Sequence, residues 1–193
     1  MSAAAPTHDG FASAARRQRN ALLALNALGG LAVLVSYAIG LGGSSSVGNA
    51  LWGGIPEALR PVYTVNMFLA AGGYFLFTPY IALRLSREPI RYPGGFGFGI
   101  FHVLYALVLI PSALWLPLTE QMVLAPGAAL WWSIRFVLFL VGAGAVGLLV
   151  VLSKLPSSAP PGRGWAIAGL APFVLQTAVL DALIWPAFYP GPV

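Results

Sequence analysis

The sequence predicts an all-α integral membrane protein, a bundle of five transmembrane helices with a cytoplasmic N-terminus and an external C-terminus. Of the 193 residues, 59% are hydrophobic and only 8% are charged, whereas about one quarter of the residues of a soluble domain are charged. The hydrophobic residues form five long runs, and the basic residues lie mainly at the ends of those runs. A chain with so few charges cannot build a water-facing surface, so its main solvent is lipid.

Each of the five runs is long enough to cross a membrane as a helix. They are residues 21–42, 61–83, 95–118, 127–153 and 165–189. At 1.5 Å per residue, each run can span a hydrocarbon core of about 30 Å. Helices are expected because a membrane-spanning barrel would show alternating runs of about ten residues.

The runs divide the chain into a tail and one membrane domain. Residues 1–19 are small and polar and end in arginines, which predicts a disordered cytoplasmic tail. Residues 20–190 form the predicted five-helix domain. The first run is longer than the core of a typical signal peptide, and it completes the bundle, so we interpret it as a retained helix.

Two of the links between runs have a composition of their own. In the link before the second run, Pro56 is suited to begin a short helix, and Trp52, Ile55 and Leu59 are expected on the membrane surface. The link SSAPPGRG, before the fifth run, is rich in proline and is expected to be irregular.

The basic residues predict the orientation. One side of the predicted bundle carries Arg16, Arg17, Arg19, Arg84, Arg87, Arg91, Lys154 and Arg163. The other side carries only Arg60. Cytoplasmic loops are enriched in Lys and Arg, so the first side should be cytoplasmic, in the cytoplasmic (plasma) membrane. Most of the indole rings fall near the opposite boundary, as interfacial tryptophans do; these are Trp52, Trp115, Trp131, Trp132 and Trp185.

Composition argues against several function classes. The chain has no cysteine, which excludes disulfides and a thiolate nucleophile. Of its two histidines, His8 lies in the tail, so a two-histidine haem or metal site within the membrane part is not expected, nor is any cofactor. The net charge of +5 comes mainly from the ends of the runs, which argues against a nucleic-acid partner. No catalytic residue is assigned, because no Ser, His and Asp share one depth.

Arg135 and Asp181 are the two charges inside predicted helices. Each lies eight residues from the outer end of its run, at Gly127 and Tyr189 respectively, which is a depth of roughly 12 Å. An unpaired charge at this depth is costly, and a guanidinium can pair with a carboxylate through two hydrogen bonds. The matching depth predicts an ion pair. Three interpretations are open: a structural pair, a pair that also lines a ligand pocket, or an Arg135 that extends outward while Asp181 is protonated or otherwise occupied.

Further polar residues are expected near that pair or in the same half of the membrane. They are Ser36, Tyr37, Tyr63, Asn66, Ser112 and Gln176. Buried amides and hydroxyls need partners, so these groups can converge into a polar cluster that binds a ligand. The alternative is that Ser bonds its own helix backbone and that Asn66 bridges two helices.

Two polar residues lie together in the other half of the membrane. His102 and Asn26 are each about seven residues into their helices, on the predicted inner side. A histidine that titrates near neutral pH can relay protons. The alternative is an interhelical hydrogen bond, with Asn26 as the candidate partner of His102.

Small residues and prolines predict where helices approach and bend. The segment GAGAVG (142–147), the series Ala32, Ser36 and Gly40, and the pair Gly95 and Gly99 have the spacing that allows close backbone contact. Prolines inside the runs are expected to bend the helices and open space between them; they are Pro79, Pro111, Pro172 and Pro186.

The architecture resembles that of the tryptophan-rich sensory (translocator) proteins, which have five crossings and a similar length and bind porphyrins and sterols. The Trp- and Pro-rich first-loop motif of that family is absent from GGSSSVGNALWGGIPEALRP. The main hypothesis is a carrier or sensor that lies among membrane lipids and binds a small amphipathic, lipid-like ligand at the outer cluster. The alternatives are an accessory subunit or assembly factor, with a homo-oligomer or another membrane protein as partner, and an intramembrane enzyme acting on a lipid.

Overall fold

The computed structural model describes residues 8–42, 51–88, 90, 92–189 and 191. The described residues are predominantly helical, and no strand occurs among them. Five helical segments in this part of the chain are long and apolar enough to cross a membrane. The predicted helical class and the number of spans are therefore confirmed, while the orientation of the termini stays a prediction.

The helices are numbered in chain order. They are α1 His8–Gly42, α2 Arg60–Pro79, α3 Gly99–Leu124, α4 Ala128–Ser153, α5 Arg163–Val174 and α6 Trp185–Phe188. Two segments with wider π-helical turns continue them: Tyr80–Arg84 follows α2, and Leu175–Ile184 joins α5 to α6. The fifth span is thus α5, this widened segment and α6 together. Short 3₁₀ turns occur at Glu57–Leu59, Leu85–Arg87 and Pro93–Gly95.

Helix α1 begins earlier than predicted. It starts at His8, so residues 8–19, which were expected to be disordered, are helical. This stretch contains three alanines and three arginines, which have high helix propensity. Helix formation therefore continues beyond the apolar run that set the predicted boundary.

The widened segments follow prolines. Pro79 ends α2, and Pro172 lies inside α5 shortly before the segment Leu175–Ile184. Proline lacks an N–H and displaces the carbonyl four residues earlier, so it interrupts the regular α-helical ladder. Wider turns then take over, and such turns occur often at functional sites.

Four pairs of spans account for most of the packing, and not all of them are adjacent in the chain. Helix α3 packs against α4 and α1, α2 packs against α5, and α4 packs against the fifth span. The end of the bundle with Trp52, Trp131 and Trp185 is called the aromatic end, and the end with Arg84 and Arg163 is called the basic end. At the basic end, helix α1 contacts the two short segments that follow α2, Tyr80–Arg84 and Leu85–Arg87.

The closest backbone approach joins α2 to α5. A Cβ atom added at Gly73 would lie 2.1 Å from the carbonyl oxygen of Gly169, so glycine is required there. In the GAGAVG segment, Gly142 and Gly144 do pack closely against neighbouring helices, as predicted. A Cβ at Gly95 or Gly99 would meet nothing within 4 Å, so that predicted contact is absent from the described part of the bundle.

Side chains form two buried clusters. The larger one lies toward the basic end and includes Phe77, Tyr105 and Leu148. The smaller one lies at the aromatic end and includes Ile55 and Trp131. Ile55 is only 2% exposed, so its predicted position on the membrane surface is wrong.

Both links behave largely as their compositions predict. Pro56 precedes the short helical turn Glu57–Leu59. Residues 154–162 are irregular and are held by side chains of the segment that follows α2. The Tyr80 hydroxyl donates to the Pro160 carbonyl at 3.0 Å, and Arg84 Nη1 donates to the Pro161 carbonyl at 2.9 Å.

Candidate functional site: an apolar cavity with one carboxyl group

A cavity of about 760 Å³ lies between α1, α2, α3, α4 and the fifth span. Its walls are mainly aliphatic and aromatic, with Val33, Leu109 and Val141 as examples. Asp181 is the one charged residue that lines it in the described part of the chain. A large apolar cavity with a few polar groups is the usual form of a small-molecule binding site.

The cavity opens sideways between α1 and α2. These two helices do not pack along each other in the described residues, although α1 packs along α3 and α2 along α5. The residues at this gap line the cavity and are exposed and apolar, among them Leu31 and Leu34 on α1 and Met67 and Phe75 on α2. Because these side chains face lipid in a membrane, an occupant can enter from the bilayer.

A chain of hydrogen bonds leads to Asp181. Asn66 Nδ2 donates to Gln176 Oε1 at 3.0 Å and to the Pro172 carbonyl at 3.0 Å. Gln176 Nε2 in turn donates to Asp181 Oδ1 at 2.8 Å. Asn66 and Gln176 are 6% and 7% exposed, so both amides are held away from solvent. The carboxyl group is therefore fixed at the cavity wall by two helices.

The widened helix makes the contact between Gln176 and Asp181 possible. The two residues are five positions apart in the segment Leu175–Ile184. In an α-helix that spacing would turn them about 140° away from each other, whereas wider turns bring residues five apart close together. Pro172, which precedes the segment, thus positions the carboxyl group indirectly.

Two tyrosines line the cavity together with Asp181. They are Tyr37 and Tyr63. The Tyr63 hydroxyl donates to the Leu180 carbonyl at 2.8 Å. This bond joins α2 to the residue next to Asp181 and adds to the fixed geometry.

Aromatic rings line the cavity toward the aromatic end, and we call them the aromatic roof. The roof consists of Tyr37, Trp52, Tyr63, Trp115 and Trp185, all of which line the cavity. Adjacent pairs are in contact: the ring centroids of Tyr37 and Trp115 are 6.0 Å apart, those of Trp115 and Trp185 6.2 Å, and those of Trp52 and Tyr63 6.2 Å. Pairs at such distances stabilise one another beyond the area they bury.

The loop before α2 holds the roof against α6. Trp185 Nε1 donates to the Leu51 carbonyl at 2.8 Å, and the Gly54 N–H donates to the Phe188 carbonyl at 3.0 Å. A Cβ at Gly54 would lie 2.2 Å from the same Phe188 oxygen, so only glycine permits this approach. Outside the spans, burial raises the pKa of the nearby Tyr189 phenol above its ordinary value.

One donor in the roof has no partner. Trp115 Nε1 is the single buried side-chain nitrogen or oxygen without a hydrogen bond among the described residues. A buried N–H left unpaired costs about 1–3 kcal/mol. The indole of Trp115 is therefore held by its ring contacts and not by a polar partner.

The basic end of the cavity is bordered by a second polar contact. The Tyr74 hydroxyl donates to Asn26 Oδ1, and Asn26 Nδ2 donates to the Leu22 carbonyl at 2.8 Å. Asn26 and Tyr74 both line the cavity. This hydrogen bond is a side-chain link between α1 and α2 across the gap.

The predicted ion pair between Arg135 and Asp181 is wrong. No salt bridge occurs among the described residues. Arg135 is exposed on the surface of the bundle. The preceding residue, Ile134, is 0% exposed. One residue turns an α-helix by about 100°, so Arg135 points away from the buried face that Ile134 occupies. Its guanidinium lies 5.1 Å from the ring centroid of Trp132 and 5.8 Å from that of Trp131.

Helix geometry explains this position of Arg135. Side chains in a helix point toward its N-terminus, so a long arginine reaches back one turn. In α4 that direction leads to the aromatic end, where the charge can reach the membrane interface and the indole faces. The outward-extending alternative for Arg135 is the one that matches the structure.

The remaining predicted residues divide between the cavity and other contacts. Tyr37, Tyr63, Ser112 and Gln176 line the cavity, whereas Asn66 lies behind its wall. Ser36 does not line it, and its hydroxyl donates to the Val33 carbonyl of its own helix at 2.8 Å.

The predicted pairing of His102 with Asn26 is wrong. His102 Nε2 lies 3.0 Å from the Gln18 carbonyl instead, and Asn26 bonds to Tyr74. The helical start of α1, which the sequence did not predict, places Gln18 beside α3 and provides this partner.

Sequence reasoning missed several residues of the cavity, including Tyr74, Trp115 and Trp185. The two tryptophans were assigned to the membrane boundary, a prediction that concerns their depth and not the face of the helix they occupy. The chain matches no protein-family model, and searches of curated proteins and of solved structures give no match. The function must therefore follow from the chemistry of these residues.

Proposed function

We propose that this chain is a carrier or sensor that binds a small amphipathic, lipid-like ligand in the cavity. The observation on which the proposal depends is the cavity of about 760 Å³, which has apolar walls and one carboxyl group. Its volume is within the range of known ligand pockets. The apolar walls suit a hydrocarbon portion, and Asp181 suits a polar head.

The gap between α1 and α2 supports a ligand that comes from the bilayer. The exposed apolar side chains at this gap favour passage of an apolar group. In the proposed orientation the basic end is cytoplasmic, because most of the Lys and Arg residues outside the spans lie there. The aromatic roof and Asp181 then lie in the outer half of the membrane.

A cavity-filling variant with a matched control tests the proposal. Gly30 lines the cavity, and a Cβ added there would meet nothing within 4 Å; Gly72 also has open space but does not line the cavity. Gly30→Phe should therefore occupy ligand volume without a clash, whereas Gly72→Phe should place its ring in lipid. Both variants remove a helix-interior glycine, so their effects on helix propensity are similar.

The measurement is photolabelling in a bilayer. Protein in nanodiscs is mixed with a hexadecyl alcohol that carries a diazirine in its tail, irradiated, and analysed by peptide mass spectrometry. Labelling at Val141, which is buried at the cavity wall, is divided by labelling at Phe139, which is 64% exposed on the same helix. The ratio should fall several-fold in Gly30→Phe and remain unchanged in Gly72→Phe. Equal ratios in the wild type and in both variants would contradict the proposal.

A further inference from the structure

We propose that the occupant carries an ammonium group that lies beside Asp181 under the aromatic roof. This inference rests on the proposed function and specifies the chemical class of its ligand. It depends on two independent features of the cavity, namely a carboxyl group without a cation and a set of aromatic rings at the same end.

The first feature is the missing counter-ion. Asp181 accepts a hydrogen bond from Gln176, and no Lys, Arg or His of the described residues forms an ion pair with it. The nearest candidate by depth, Arg135, lies on the outer face of α4. Carboxylates inside membranes usually pair with a cation, and the cation is in some proteins part of a bound ligand. A ligand ammonium would supply a charge that no described residue supplies.

The second feature is the aromatic roof. Asp181 and Trp185 are four residues apart in the fifth span, and Tyr63 donates to the carbonyl of Leu180, the residue before Asp181. The faces of Trp and Tyr rings carry partial negative charge and attract organic cations, including quaternary ammonium groups. The roof supplies five such rings, so the roof and the carboxyl group favour the same charge on the ligand.

The same features disfavour an anionic head. No Lys or Arg of the described residues lines the cavity, so a phosphate or carboxylate would have no cationic partner there. Asp181 would in addition repel it. A neutral hydroxyl head could donate to Asp181 but would gain little from the ring faces.

The test compares head groups on one tail. The diazirine tail is joined to trimethylammonium, phosphocholine, alcohol or carboxylate, and labelling is measured in nanodiscs of phosphatidylglycerol, a lipid without an ammonium group. The Val141 to Phe139 labelling ratio corrects for different partitioning into the bilayer. For the wild type we expect the trimethylammonium ratio to exceed the alcohol ratio roughly tenfold, and the carboxylate ratio to be lowest.

The variant Asp181→Asn removes the charge while retaining an acceptor for Gln176. It should abolish the preference for trimethylammonium over the alcohol. Because the head-group comparison is made first on the wild-type protein, it does not depend on the folding of the variant. A phosphocholine ratio equal to that of trimethylammonium would identify a membrane lipid head as the source of the ammonium group. A preference for trimethylammonium alone would identify a free amphiphilic amine.

Two other outcomes separate the two proposals. If the alcohol or the carboxylate labels Val141 as strongly as trimethylammonium, and Gly30→Phe still reduces labelling, the ammonium inference is overturned while ligand binding stands. If no probe gives labelling that Gly30→Phe reduces, the proposed function fails and the inference fails with it.

Discussion

The substitution Gly73→Ala should destabilise the bundle, because it adds an atom at the closest contact between α2 and α5. The new Cβ would lie 2.1 Å from the carbonyl oxygen of Gly169 and 2.9 Å from its carbonyl carbon. Carbon and oxygen atoms in close helix contacts are about 3.3–3.6 Å apart. The two backbones must therefore separate by more than about 1 Å, and overpacking of this kind typically costs about 1–3 kcal/mol.

The separation of α2 from α5 should also disturb the hydrogen bonds at the cavity. Asn66 lies two turns from Gly73 on α2, and its bonds to Pro172 and Gln176 are both 3.0 Å long. Moving α2 away from α5 would lengthen these bonds. We therefore expect Gly73→Ala to lower cavity photolabelling as well as stability, the latter measured by reversible unfolding in mixed detergent micelles.

The neighbouring glycine provides the control. A Cβ at Gly72 would meet nothing within 4 Å, and replacing a helix-interior glycine by alanine favours the helix by up to about 1 kcal/mol. Gly72→Ala should leave the free energy of unfolding unchanged or raise it. If Gly73→Ala is as stable as Gly72→Ala, the close crossing of the two helices is refuted.

Two further predictions concern the polar contacts. Removing both Asn66 and Gln176 by alanine substitution should cost less than the sum of the single changes, with an interaction energy of at least about 0.5 kcal/mol in a double-mutant cycle of unfolding; additive losses would contradict their hydrogen bond. Trp115→Phe removes an unpaired N–H, whereas Trp185→Phe breaks a hydrogen bond to a carbonyl, so the first should cost about 1 kcal/mol less than the second. Equal losses in these two variants would show that Trp115 has a partner.

The number and approximate positions of the spans could be predicted because they depend on apolar length alone. The prediction was least accurate at span ends, where other forces act. Helix α1 continues to His8 because its polar start has high helix propensity. The third span begins at Gly99 and not at residue 95, because Gly94 has φ of 75° and belongs to a separate turn.

The buried face of a helix could not be predicted by counting residues. Counting placed Arg135 and Asp181 at one level, but apart from Arg135 and two serines the helix α4 is apolar on all sides, so no apolar stripe marks its buried face. The buried face follows Trp131, Ile134 and Leu138. Arg135 lies beside that stripe, and only the packing of the other helices determines this.

The hydrogen-bonded chain from Asn66 through Gln176 to Asp181 could not be predicted in full by counting residues. Asn66 and Gln176 were expected in one cluster, and they are hydrogen-bonded. The bond from Gln176 to Asp181 depends on the widened turns after Pro172, whereas the predicted depths assumed an ideal α-helix throughout. The proline was recognised as a source of bending, but its effect on side-chain spacing was not.

The gap between α1 and α2 would give the proposed ligand a route from the bilayer, and a ligand of that kind changes how binding must be measured. The chemical potential of a strongly partitioning amphiphile depends on its mole fraction in lipid, so under the proposed function that mole fraction sets the degree of saturation. Adding more lipid at constant amphiphile should then empty the cavity, whereas increasing the volume of buffer should change little for a strongly partitioning molecule. Affinities for a ligand of the proposed kind are therefore meaningful per lipid and not per litre.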